Sequence, residues 1–191
     1  MTVSTLAGTL WPSRGRADSL LKSAILAVAG SLLLTLSAKV QVPFYPVPMT
    51  MQSMVVLMLG AAYGSRLGAA TVGLYLLQGA FGLPVFAAGG GLAYMAGPTA
   101  GYLAGFLAAA FVTGALVERG FGRSILGLLA VMAIGHAAIF APGFAWLAGL
   151  VGAEKAWAAG VAPFWAATLL KTGLGAALTL GLVTVAARRE A

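Results

Sequence analysis

The sequence predicts an all-α integral membrane protein: a single membrane domain over residues 1–191, built as a compact bundle of six transmembrane helices with both termini cytoplasmic. Three observations lead there. Of the 191 residues, 61% are hydrophobic and 8% charged, with a mean hydropathy of +0.99. A soluble domain has about half its residues apolar and about a quarter charged, so the polar residues here are too few to cover a water-facing globule. Apolar runs recur at lengths near the roughly 20 residues that span about 30 Å of hydrocarbon. The basic residues fall unevenly between the runs, as positive loops on the cytoplasmic side of a membrane do.

The first run covers 20–38, broken only by Lys22, whose stem can snorkel. It exceeds the 7 to 15 residues of a signal-peptide core and more spans follow, so it reads as a retained helix. The second and third runs, 49–63 and 67–81, are joined by Gly64-Ser65-Arg66. The fourth covers 99–117. The fifth, 124–141, meets Pro142-Gly143 and continues only weakly to Val151. The sixth, 163–187, is the longest and contains Lys171.

Six spans put Arg14, Arg16, Lys22, Arg66, Arg119, Arg123, Arg188 and Arg189 on one side, against Lys39 and Lys155 on the other. The side richer in Lys and Arg is cytoplasmic. Trp146, Trp157 and Trp165 then gather at the outer interface, where aromatic belts lie. A net charge of +7 carried singly between apolar runs fits loops on a bilayer, not a nucleic-acid surface.

The second and third runs have about 15 residues each, enough for only about 22 Å of helix. Sharing an inner turn, they stop short of the outer surface. Above them lie two irregular segments, the proline-rich 39–48 and the uncharged 82–98 with Gly89-Gly90-Gly91. Irregular backbone at membrane depth survives where it is buried or lines a cavity, so a pocket open to the outside is expected between them. Gly97, Gly101 and Gly105, then Gly60, Gly64 and Gly68, and Ser23, Ala27 and Ser31 repeat every four residues. Small residues so spaced let helix backbones approach. Packing within one bundle accounts for them, or a docking surface for a partner, with the first helix the best candidate.

Several chemistries are excluded. There is no cysteine and one histidine, His136, so no thiol nucleophile or multi-histidine metal site is expected. Asp18, Glu118, Glu154 and Glu190 are too few and too peripheral for paired-carboxylate catalysis. Lys171-Thr172 follows Leu170 where a phosphate-binding loop needs glycine. Ser19-Leu20-Leu21-Lys22 and Lys171-Thr172-Gly173 mimic penicillin-binding motifs, but the third motif is missing.

Lys171 demands a reason. A mid-span lysine costs roughly 2.5–3.5 kcal/mol on insertion scales and needs a partner. It lies about 12 Å below Pro163, where the chain offers no carboxylate. An anionic ligand entering from outside would supply the missing charge; outward snorkelling or bonding to carbonyls is the plainer account. Thr168 shares its face one turn earlier. Thr50, Gln52 and Gln78 each can bond a ligand or tie two helices. Phe86 and Tyr94 flank the glycine run and can form an apolar lid or interfacial anchors. His136 can relay protons or serve as a hydrogen-bonded packing residue.

Three strings resemble the BioY family, the biotin-binding S components of energy-coupling factor (ECF) transporters. They are Gln41-Val42-Pro43 with Pro46-Val47-Pro48-Met49-Thr50-Met51-Gln52, then Gly82-Leu83-Pro84-Val85-Phe86 to Gly89-Gly90-Gly91, and Gly97-Pro98-Thr99-Ala100-Gly101-Tyr102-Leu103-Ala104-Gly105-Phe106. The resemblance implies a six-helix protein of the cell (inner) membrane that captures biotin from outside, without a cofactor. It implies partners: a transmembrane scaffold and two ATPase subunits, the scaffold touching Ser23, Ala27 and Ser31. With biotin as the ligand, Lys171 is expected on its carboxylate, and Thr168, Tyr94, Phe86, Gly90, Gly91, Thr50 and Gln52 are expected around it. Thr168 stands where the family usually carries aspartate. Rival readings are the same fold for another small anionic vitamin, a carrier without ATPase partners, a membrane-embedded enzyme and a purely structural subunit.

Overall fold

The structure, a computed structural model, describes residues 15–188; Arg14, Arg189 and Glu190 lie outside the described residues. It is helical almost throughout. Helix α1 is Arg16–Lys39, α2 Gln52–Tyr63, α3 Ser65–Ala80 and α4 the short Leu92–Met95. Helix α5 is Ala100–Glu118, α6 Ile125–Val151, α7 Ala153–Gly160 and α8 Trp165–Arg188. Single 3-10 turns precede α6 (Phe121–Arg123) and α8 (Ala162–Phe164). Between α1 and α2, β1 (Gln41–Val42) pairs antiparallel with β2 (Met49–Thr50), Gln41 opposite Thr50.

Among the described residues, four segments are long and apolar enough to cross a membrane: α1, α5, α6, and Ala153–Val185, which holds α7 and most of α8. Helices α2 and α3, with 12 and 16 residues, reach only about 18 and 24 Å. The shortness read from sequence is therefore real.

Lipid is as apolar as leucine, so what draws these helices together is close packing and buried hydrogen bonds. The glycine spacing serves that end. A Cβ on Gly68 would sit 2.9 Å from Gly60 Cα, and one on Gly105 would sit 2.8 Å from Ile139 Cα. The central α5 thus rests on α6 with almost nothing between their backbones. At one end of the bundle, Ser65 donates from N and Oγ to the Glu118 carboxylate at 2.8 and 2.9 Å. This fastens the α2–α3 turn to the foot of α5. At the other end, Trp146 Nε1 donates to Gly97 O and Tyr102 Oη to Gly160 O. The hairpin and the 82–99 segment lie at this second end.

Four expectations need correction. The fifth span does not stop at 141, because α6 continues through Pro142 to Val151 and, at 27 residues, is the longest helix. Proline removes the bond to the Ala138 carbonyl, but α5 covers that turn: a Cβ on Gly101 would strike Pro142 O, and one on Gly105 would lie 3.1 Å from Ala138 O. Packing overrides the local penalty. The second span begins as strand, its helix starting at Gln52, since Thr50 pairs across the hairpin. Lys22 does not snorkel; it is 7% exposed, with Asp18 one turn earlier. Ser31, expected at a partner interface, is fully buried in its own bundle and bonds Val28 O at 3.0 Å, while Ser23 and Ala27 remain half-buried. Gly30 beside it meets Thr71 and Tyr63, so this stretch of α1 is spent on α3 and α2.

Candidate functional site

Because α2 and α3 are short, the end of the bundle above them is filled by the hairpin and the 82–99 segment, and a cavity opens beneath both. The space between atoms there is about 620 Å³, including the part open to solvent. Thr50, Gln52 and Ser53 line it from the hairpin and α2, Phe86, Ala87 and Tyr94 from the loop, and Tyr102 and Phe106 from α5. Phe140 comes from α6, Phe164 from the turn before α8, and Thr168 and Lys171 from α8.

Thr50, Gln52, Ser53, Thr168 and Lys171 are polar members of this lining. Lys171 is 7% exposed, and its Nζ donates to Thr50 O at 2.7 Å and to Ser53 Oγ at 3.4 Å. Both partners are neutral oxygens. The acidic side chains among the described residues are Asp18, Glu118 and Glu154, at the start of α1, the end of α5 and the start of α7. Bonding to carbonyl and hydroxyl orients the ammonium but leaves its charge uncompensated, and a charge in a low-dielectric wall strongly favours an anion.

Much of the remaining lining is aromatic. Phe86 stacks on Tyr94 with ring centroids 5.0 Å apart, and the edge of Tyr75 meets Phe86 at 5.4 Å. Phe140 meets Tyr102 and Phe164, each at 6.1 Å. Such a lining suits a compact ligand with an apolar body and one charged end.

The loop carrying Phe86 is held by its main chain. Three consecutive carbonyls accept side-chain bonds: Val85 from Tyr75 Oη (3.1 Å), Phe86 from Lys39 Nζ (2.7 Å) and Ala87 from Gln41 Nε2 (3.3 Å). Gly91 takes φ +96°, which a side chain would resist, and its N–H reaches Gly79 O at 2.7 Å. Gly79 has no side chain because the Phe86 ring occupies that space.

Comparison with known proteins decides the family. Residues 8–188 match the sequence model of the BioY family. The chain belongs to the BioY family. A probable biotin transporter BioY from Pyrococcus horikoshii is 38% identical over 143 residues, 73% of this chain and 82% of that protein. A biotin transporter BioY from Thermotoga maritima is 38% identical over 152 residues, 78% of this chain and 89% of that one. The fold matches the crystal structure of the S-component for biotin from an ECF-type ABC transporter, with a TM-score of 0.78 at 22% identity over 89% of this chain and 95% of that one.

In this BioY chain, six of the eight residues expected around a ligand line the one cavity: Thr50, Gln52, Phe86, Tyr94, Thr168 and Lys171. Gly90 and Gly91 do not. A Cβ on Gly90 would strike Leu83 O, so this glycine allows the loop to close on itself. The hold that Tyr75, Lys39 and Gln41 have on the loop is not legible in the sequence, where Gln41 appears only within the Gln41-Val42-Pro43 string. A tyrosine within an apolar run carries no sequence mark of function, and Lys39 reads only as a loop charge.

His136 stands apart from the cavity. It borders a groove on the flank of the BioY bundle between α6 and α8, with Trp157, Trp165 and Thr172. Its Nδ1 lies 3.1 Å from both Met132 O and Thr172 Oγ1, while Nε2 is buried without a partner. Phe140 and Thr168 border groove and cavity alike.

Proposed function

We propose that this chain captures biotin from the outer face of the cell membrane for uptake, as the substrate-binding subunit of an ECF-type transporter, and that it is not itself an enzyme. The observation that carries the reading is the buried Lys171 ammonium, held by two neutral oxygens at the edge of an aromatic cavity. Biotin offers a carboxylate for the cation and a compact ring system for the aromatic walls. Family membership and the named function of the relatives support the same ligand.

On this reading six segments cross the bilayer, both termini are cytoplasmic, and the hairpin and the 82–99 loop close the outer end. Lys171 pairs with the carboxylate, and Thr50, Gln52, Phe86, Tyr94 and Thr168 surround the ligand. Gly90 and Gly91 shape the loop above it. Energy for release comes from a transmembrane scaffold with two ATPase subunits, and no cofactor is used. Ser23 and Ala27 are the residues of the first-helix stripe left for the scaffold to reach.

Equilibrium binding of labelled biotin to the purified protein tests the reading. Saturable binding tighter than micromolar is expected; weaker affinity rejects it. Co-purification of ATPase and scaffold subunits from native membranes tests the partnership separately, and a chain that always isolates alone overturns that part.

A further inference from the structure

Beside the cavity runs a chain of hydrogen bonds whose direction is fixed from one end. Val85 O is a carbonyl and can only accept, so Tyr75 Oη, 3.1 Å away, donates its single hydrogen to it. The hydroxyl must then accept from its other neighbour, and Gln52 Nε2 donates to it at 2.6 Å. The Gln52 oxygen is thereby turned the other way, where Thr50 Oγ1 donates to it at 3.2 Å. Thr50 Oγ1 in turn accepts from the Gln52 main-chain N–H at 3.3 Å. Every bond in the sequence agrees in sense, and reversing the amide would set two acceptors against each other at Tyr75 and turn the amide nitrogen toward the Thr50 hydroxyl that donates to Gln52 Oε1.

One group is left over. An amide nitrogen carries two hydrogens; the first goes to Tyr75, and no second bond is made by Gln52 Nε2 among the described residues. Gln52 is 4% exposed and lines the cavity, whereas Tyr75 is wholly buried and does not. Tyr75 also sets its ring edge against Phe86, so one side chain holds both the amide and the aromatic wall.

We infer that Tyr75 is a positioning residue: its hydroxyl, without touching ligand, locks the Gln52 amide so that Gln52 presents a hydrogen-bond donor to a ligand oxygen. The inference deepens the proposed biotin site and rests on it. Lys171 supplies one donor-bearing wall and Gln52 a second, so the ligand must bring acceptor oxygens to both.

The experiment is a double-mutant cycle on biotin binding with Tyr75→Phe, Gln52→Ala and the pair. Tyr75→Phe removes one oxygen and keeps the ring on Phe86, and it is expected to weaken biotin about tenfold, the cost of unpairing buried polar groups. In the Gln52→Ala background the same change is expected to cost less than about twofold. Additive losses overturn the inference, since a merely structural tyrosine would act equally in both backgrounds. If Tyr75→Phe fails to fold, Thr50→Val probes the other side of the amide while keeping the carbonyl that Lys171 uses. Its loss should likewise vanish in Gln52→Ala, and persistence overturns the inference. Failure of the unmutated protein to bind biotin is a different outcome, which rejects the ligand and with it the role assigned to both residues.

Discussion

Lys171 donates a 2.7 Å hydrogen bond to the main-chain carbonyl of Thr50, a residue 121 positions earlier in the chain. The bond closes the bundle: it ties α8, near the end of the sequence, to the strand that enters the first short helix. It also orients an ammonium without neutralising it.

Replacing that lysine separates the two roles. Lys171→Met is expected to weaken biotin by roughly tenfold to a hundredfold, the worth of a charge-assisted bond in a dry site. Biotin amide, which lacks the charge, should lose distinctly less. Calorimetric titration of both ligands against both proteins checks this, and equal losses count against the carboxylate assignment.

The same variant should not unfold more easily. A buried cation among neutral partners is a liability that methionine removes at similar volume. Melting of the ligand-free protein in detergent should give an equal or higher midpoint for Lys171→Met. A fall of more than about 4 °C, the upper end of the shift that roughly 1 kcal/mol produces in a domain of this size, means the ammonium is a net structural asset.

Gly79→Ala puts a methyl where the Phe86 ring lies. The expected cost is about 1–3 kcal/mol of overpacking, with weaker biotin binding because that ring forms the cavity wall. Gly149→Ala, where nothing lies within 4 Å, serves as the control and should melt like the parent. Indistinguishable melting and binding for the two variants would contradict this account of the loop.

On α1, Ala27→Leu should abolish co-purification with the scaffold and leave biotin binding intact. Ser31→Leu should instead lower the melting temperature of the isolated chain, because Ser31 is fully buried. Reversed effects would mean that the helix turns its other face inward.

Orientation can be read by labelling, since the chain has no cysteine of its own. Single replacements Arg16→Cys and Arg119→Cys should react with an impermeant maleimide only after the membrane is opened, and Lys155→Cys in intact cells. Any other pattern rejects cytoplasmic termini.

Much of this was legible in the residues because oil makes blunt demands. Hydropathy located α1, α5 and α8 to within a few positions, and the shortness of α2 and α3 pointed to a cavity above them. The four-residue glycine spacing marked the contact of α5 with α6. A mid-span lysine with no carboxylate at its depth singled out Lys171, Thr50 and Gln52 stand in a family string, and Phe86 and Tyr94 drew notice as the aromatics flanking the glycine run. What escaped depends on neighbours distant in sequence. Pro142 reads as a helix end until α5 is laid over its turn. Tyr75 is one more aromatic in an apolar run until Val85 and Gln52 are placed on either side of its hydroxyl. Ser31 carries a docking pattern, and only the position of α3 reveals that the pattern has been used up internally.

Thr168 and Phe140 each have one side toward the cavity and the other toward the flank groove between α6 and α8. The partition between the cavity and the flank groove is therefore made by these side chains at that point. Only the breadth of a threonine and a phenyl ring keeps the two spaces apart there. The size of residue 168 accordingly governs how watertight the compartment is, quite apart from any bond its hydroxyl makes.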